Sequence, residues 1–272
     1  MINVCIIGLG QIGGSLGLAL KKYAGKRYHV TGIARRQETE KTALKMKAVD
    51  EVSLSFEASR PADIIVICIP VDAIAEMYKR ISVTAKKNAV VTDVGSVKSA
   101  VEKPIKLQGA KLAFVGAHPM AGKENNGILS ADKDMFKNAN VVITGNNNKA
   151  AEKKVADMWK ATGAKIIKMN AATHDNLAAV TSHLPHVIAF SLNKVYKDVK
   201  KKNKEIDLIA ASSFKSATRV ANSSADMWAP VLSANSENVI KHLNAFIKEL
   251  NSFKKVLKNK SRVKKEILKT QK

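Results

Sequence analysis

The segment Gly8-Leu9-Gly10-Gln11-Ile12-Gly13-Gly14-Ser15 constrains this chain more than any other. It follows the apolar run at residues 2–8 and opens a stretch of helical spacing at residues 12–23. A strand that hands over to a helix through a G-x-G-x-x-G turn is the context of a dinucleotide fingerprint. Each glycine has its own physical reason. Gly8 permits the tight turn, Gly10 lets the backbone approach a pyrophosphate, and Gly13 lets the helix pack closely on the strand. Gln11 and Ile12 lie inside the turn, and the helix N-terminus offers its free N–H groups to phosphate. Five of the chain's 14 glycines lie between residues 8 and 17, so the enrichment is local rather than compositional.

The first 168 residues continue the alternation of strand and helix patterns. Strands are expected at residues 28–33, 63–69, 88–94, 112–116, 140–144 and 165–169, with a short edge piece near 49–52. Near-continuous apolar strands separated by helices predict a mostly parallel sheet covered on both faces. That is the α/β doubly wound, Rossmann-type architecture. After residue 169 the spacing becomes helical throughout, at residues 171–181, 186–202, 206–221 and 235–257, punctuated by Pro185 and Pro230. The expected organisation is a dinucleotide-binding domain at 1–168 and an all-helical domain at 169–272. Its basic tail, from about 254, is expected to fray.

Charge restricts the partners less than it first suggests. The 272 residues carry 46 basic and 23 acidic side chains, a formal charge of +23, but only seven of the basic residues are Arg. With 46% hydrophobic residues the chain is globular, and a Lys-rich surface is a solvated one. Aromatics are 5%, and no nucleic-acid recognition motif is present. No apolar run reaches the length of a membrane span, and the N-terminus lacks a signal-peptide pattern. Cys5 and Cys68 sit in strand-like runs without metal-ligand spacing, and no HExxH is present. A soluble cytoplasmic protein is expected, with no nucleic acid, membrane or metal partner.

Four further segments carry chemistry. The second strand ends at Ala34, where NAD sites usually place an acid on the ribose, and Arg35 and Arg36 follow. Two guanidinium forks suit a 2′-phosphate, so NADP is expected; Glu38 or Glu40 reaching a ribose would give NAD instead. Pro70 ends the strand whose C-terminal end should face the cofactor. Ser96, in Asp93-Val94-Gly95-Ser96-Val97-Lys98, reads either as a ligand-binding hydroxyl or as the N-cap of a helix from Val97. His118, in Gly116-Ala117-His118-Pro119-Met120-Ala121-Gly122, reads as an acid/base group in a glycine-bounded loop. His174-Asp175 reads as a helix start, where capping accounts for Asp175, and Ser182-His183-Leu184-Pro185-His186 adds two more histidines.

In this order and spacing, these segments resemble the prephenate/arogenate dehydrogenases of tyrosine biosynthesis, as do Phe214-Lys215, Thr218-Arg219 and Met227-Trp228. The resemblance implies oxidation of a cyclohexadienol at C4, hydride transfer to nicotinamide, and decarboxylation to an aromatic product. It makes His118 the catalytic base and Ser96 its partner at the 4-hydroxyl and the cofactor. It implies that Arg219, His183, His186 and Glu124 bind substrate. It also implies a homodimer joined through the helical domain. No fused chorismate mutase or regulatory ACT domain is expected. The alternatives are another Rossmann-type NADP-dependent enzyme, such as a β-hydroxyacid dehydrogenase, or a non-enzymatic nicotinamide-sensing or nucleic-acid-binding protein.

Overall fold

The computed structural model describes residues 1–122, 125–145 and 148–271. In chain order the N-terminal part comprises β1 (Ile2–Ile7), α1 (Gln11–Ala24), β2 (Tyr28–Ile33), α2 (Gln37–Lys45), β3 (Glu51–Ser53), β4 (Ile64–Ile67), α3 (Ile74–Ile81), β5 (Val90–Asp93), α4 (Ser99–Leu107), β6 (Ala113–Pro119), β7 (Asn140–Thr144), α5 (Lys149–Lys160) and β8 (Lys165–Met169). The helical part follows: α6 (Ala171–Ala178), α7 (Leu184–Lys200), α8 (Ile206–Ile209), α9 (Ser212–Thr218), α10 (Ala225–Ala234), α11 (Ser236–Val256) and α12 (Lys260–Thr270).

The eight strands form one sheet in the order β3-β2-β1-β4-β5-β6-β7-β8. All pairs are parallel except β6 with β7. Alternation within the central strands builds two cores. Val4, Ile6, Ile64 and Val66 point to one face, with Leu16, Leu20, Phe136 and Trp159. Cys5, Ile7, Ile65 and Ile67 point to the other, with Tyr78, Val101 and Ile105. Successive side chains on a strand face opposite ways, so an uninterrupted apolar strand must be covered twice. Trp228 and Val231 of α10 join the second core, which seats the helical part against the α3–α4 side of the sheet.

Five local expectations are corrected. β6 runs on through Pro119 and pairs His118 with Val142, so His118 stands on a strand rather than in a loop. Helix α4 starts at Ser99, not near Val97. The expected helix at 206–221 is broken where Ala210 leaves helical geometry (ψ 84°), and Ser212 opens a new one. Pro230 lies inside α10, held there by the buried Trp228 and Val231 on either side. The basic tail is ordered as α12, whose first turn is capped by the Asn259 side chain accepting the Arg262 amide (3.0 Å).

Candidate active site

Parallel strands β1, β2, β4, β5 and β6 all end on one edge of the sheet. That edge therefore collects the Gly8 turn, Ala34–Arg36, Cys68–Pro70, Ser96 and His118. The crevice outside the C-terminal ends of such strands is where α/β sheets bind ligands.

The glycine turn fits a dinucleotide on its own geometry. Gly8 has φ +98°, and a Cβ there would overlap the Cys68 carbonyl. A Cβ on Gly13 would overlap the Gly8 carbonyl, so the first turn of α1 lies directly on the strand end. At Gly10 a Cβ would meet no atom within 4 Å among the described residues. The backbone thus borders open space where α1 begins, and no side chain caps that helix. These are the conditions under which main-chain N–H groups can take a phosphate. Gln11 donates to the Asn125 carbonyl, and Ile12 is half-buried on the first core. Ala34 is buried just past β2, with its amide on the Ser53 carbonyl (3.1 Å); Arg35 and Arg36 are exposed. Pro70 is exposed where the chain turns from β4 toward α3.

The reactive cluster is built from three elements. His118 Nδ1 lies 2.8 Å from His174 Nε2, and His174 Nδ1 lies 2.8 Å from Asp175 Oδ1. His118 Nε2 has no hydrogen-bond partner among the described residues. Burial, followed by the neighbouring His174 and Lys98, holds the His118 pKa well below the ordinary imidazole value, so this ring is neutral near pH 7. Asp175 was expected to cap its own helix. Instead Asn170 caps α6, and Asp175 reaches across to α4. Its carboxylate accepts the Lys98 amide (2.7 Å) and the Ser99 amide (2.8 Å). Burial raises the Asp175 pKa, but the bonds from His174, Lys98 and Ser99 outweigh it and leave the group below the usual carboxylate range.

Because Asp175 serves the start of α4, Ser96 does not. Its hydroxyl has no hydrogen bond among the described residues and sits half-buried beyond β5. Beneath it, the fully buried Lys98 ammonium is bonded to Asp93 and to the Ala117 carbonyl (2.8 Å). Asp93 also accepts the Gly95 amide (2.9 Å) and the Ala117 amide (3.1 Å). This buried pair ties the Ser96 loop to the strand that carries His118.

His183 is fully buried in a π-turn, Ala179–His183. Its Nδ1 accepts from Asn235 Nδ2 (3.1 Å), which also donates to the Asp175 carbonyl (2.8 Å). The His183 proton therefore sits on Nε2, which is buried without a partner among the described residues. Burial lowers its pKa to about 4. His186 stacks on Trp228 (centroids 3.5 Å apart, 25°) and donates from Nδ1 to the Ser182 carbonyl (2.9 Å). Arg219 is exposed at the end of α9, in a turn that packs against α7. Glu124 lies outside the described residues. Sequence reasoning gave no role to Lys98, Asn235 or Trp228, and read the His174–Asp175 pair only as a helix start. Their roles come from partners distant in sequence.

Among the described residues no group of three or more His, Cys, Asp or Glu is placed to hold a metal ion. No helix there is long and apolar enough to cross a membrane.

Comparison with known proteins places this architecture. Residues 16–168 match the nucleotide-binding domain of prephenate dehydrogenase, and residues 170–270 match its dimerization domain. The chain is 32% identical over 249 residues to a prephenate dehydrogenase of Lactococcus lactis subsp. cremoris, spanning 90% of this chain and 68% of that protein. It is 33% identical over 249 residues to the cyclohexadienyl dehydrogenase of Zymomonas mobilis subsp. mobilis, spanning 90% and 85%. The crystal structure of prephenate dehydrogenase from A. aeolicus, in complex with hydroxyphenyl propionate and NAD+, aligns with a TM-score of 0.89 at 30% identity, covering 100% of this chain and 96% of that one. With both domains matched in order and similarity along most of its length, the chain belongs to the prephenate dehydrogenase family.

Proposed function

We propose that this protein oxidises and decarboxylates prephenate to 4-hydroxyphenylpyruvate, or L-arogenate to L-tyrosine, with NADP as the hydride acceptor. By family it is a nicotinamide-dependent oxidoreductase. One observation carries the reading furthest. His118 is a neutral imidazole at the end of β6, on the same sheet edge as the glycine turn, with Nε2 unengaged among the described residues.

The bound nicotinamide supplies a hydride acceptor for C4 of the substrate ring. His118 Nε2 takes the proton of the 4-hydroxyl as that carbon is oxidised. Loss of carbon dioxide then makes the ring aromatic and drives the reaction forward. Ser96, whose hydroxyl no described residue engages, holds the same oxygen and the cofactor. The substrate is a dianion. Arg219 supplies a bidentate fork for a carboxylate, and the His183 Nε2–H, without a partner among the described residues, supplies a buried donor. His186 and Glu124 complete the substrate set. Gly8, Gly10, Gln11, Ile12, Gly13 and Pro70 line the cofactor.

The choice of NADP rests on β2. Ala34 offers no acceptor to a ribose hydroxyl, and the exposed Arg35 and Arg36 suit a 2′-phosphate. Two copies pair through the helical domain. The match to the dimerization domain supports this, as do the exposed apolar side chains Leu192, Val195 and Val199 on α7 and Ile240 and Ile247 on α11.

The test mixes purified protein with prephenate or L-arogenate, each with NAD or NADP, and follows the reduced nicotinamide. No turnover with any of the four pairs would refute the assignment. His118→Asn should lower kcat by about 10²–10⁴-fold while cofactor binding persists.

A further inference from the structure

We infer that His174 is a positioning residue: anchored by Asp175, it holds the His118 proton on Nδ1 and leaves Nε2 as the basic atom. What that base does rests on the dehydrogenase reading above. With His174 uncharged, where the proton sits follows from the hydrogen-bond partners.

The argument starts at Asp175. Its carboxylate can only accept, and it already accepts two main-chain N–H groups at the start of α4. The 2.8 Å contact with His174 Nδ1 must therefore be a donation from His174. With the proton of a neutral ring on Nδ1, His174 Nε2 is a bare acceptor. Among the described residues the one partner of that atom is His118 Nδ1, at 2.8 Å, which must be the donor. His118 then carries its proton on Nδ1 and a lone pair on Nε2. The second nitrogen of a histidine is set by what the first one bonds, and here the setting passes through two rings.

Capping α4 needs Asp175 but not His174. A small residue at 174 would leave both amide bonds of Asp175 in place. What His174 adds is an acceptor pointed at His118. The groups facing His118 come from every side of the site: His174 and Asp175 from α6, Lys98 from the turn before α4, and His183 from the π-turn. Lys98 is engaged by Asp93 and the Ala117 carbonyl, and its ammonium has no lone pair to offer. Among the described residues, His174 alone hydrogen-bonds the His118 ring. When Nε2 takes the substrate proton, the resulting imidazolium still donates from Nδ1 to His174, with the Asp175 carboxylate behind it. No proton needs to travel beyond His118.

The test combines spectroscopy with kinetics. In ¹⁵N-labelled wild-type protein at neutral pH, two-bond ¹H–¹⁵N spectra should show His118 protonated on Nδ1 and bare on Nε2. His174→Leu removes the acceptor. It should mix the His118 tautomers and lower kcat by about 10²-fold or more, the scale of a mis-set catalytic histidine, with both KM values little changed. His174→Gln keeps an acceptor toward His118 and a donor toward Asp175, and should recover kcat to within about 10-fold of wild type. A wild-type His118 protonated on Nε2 would overturn the inference. So would a Leu variant with near-normal turnover, or a Gln variant as slow as the Leu variant. If the Leu variant does not fold, the wild-type spectrum and the Gln variant decide the question. Wild-type protein inactive with all four substrate and cofactor pairs would sink the dehydrogenase reading instead, and the spectrum would still test the proton arrangement.

Discussion

Asp175 should contribute more to stability than its place inside α6 suggests. In Asp175→Ala, the Lys98 amide loses its acceptor in a fully buried position, and the Ser99 amide loses one in a partly buried position. The His174 Nδ1–H loses its partner as well. Each buried donor left unpaired costs about 1–3 kcal/mol, and loss of a helix N-cap lies in the same range. Allowing for one partly exposed group, the expected destabilisation is about 3–5 kcal/mol. An unfolding entropy of about 2.1 cal/mol/K per residue gives about 0.6 kcal/mol/K for 272 residues, so Tm should fall by about 5–9 °C. The effect has a pH signature. A carboxylate with a depressed folded pKa contributes stability that is present above its unfolded value near 4 and lost as pH falls through the folded value. Urea denaturation of wild type and variant at pH 7 and again below pH 4 should show a gap that narrows in acid. A variant that unfolds at the wild-type midpoint at pH 7 would refute the bridging role of Asp175, and with it the anchor for His174.

Arg35→Ala and Arg36→Ala together should raise KM for NADP by about 10-fold or more while leaving KM for NAD nearly unchanged, because a charge-assisted bond is worth about 1.5–3 kcal/mol. Lys98→Met should strand the buried Asp93 carboxylate and cost about 3–5 kcal/mol, read by denaturant unfolding. Acidification should begin to destabilise the fold above the ordinary carboxylate range. His183, with its folded pKa near 4, contributes stability that is fully present above pH 6.5 and lost on the way down to 4, about 3 kcal/mol in all. Replacing it with Asn should flatten that part of the stability profile.

The parts of this protein that were legible in sequence are those fixed by neighbours in the chain. Gly13 could be read because a Cβ there would overlap the Gly8 carbonyl just before it in the chain, and Gly8 because a tight turn needs its positive φ. The alternation of Val4, Cys5, Ile6 and Ile7 showed a strand covered on both faces. The site residues beyond the cofactor turn depend on long-range geometry. Asp175 was read as a cap because it stands near a helix start, and it is a cap, but for a helix 76 positions earlier. Lys98 is one of 39 lysines, and only the folded chain shows it fully buried against Asp93. His118 was placed in a loop because glycines bound its segment; β6 instead runs through it to Pro119, which closes the strand without interrupting it.

The π-turn between α6 and α7 stores a spare residue of chain as well as shaping it. Pro185 has no N–H for the carbonyl one turn back, and the ladder widens just before it. Helix therefore runs on from Ala171 to Lys200 with one surplus residue wound into it. Deleting one residue of Ala179–His183 would let the rod close into regular α-helix with the turns on either side kept nearly in phase. Deleting one residue from the regular turns of α6 would instead rotate everything downstream by about 100°. His186 would swing off the Trp228 ring, and the exposed apolar side chains of α7 would turn to a different side. The π-turn is therefore the point on this rod that tolerates loss of a residue, whereas a deletion one or two turns earlier would undo the His186–Trp228 stack and re-aim the exposed face of α7 in the same step.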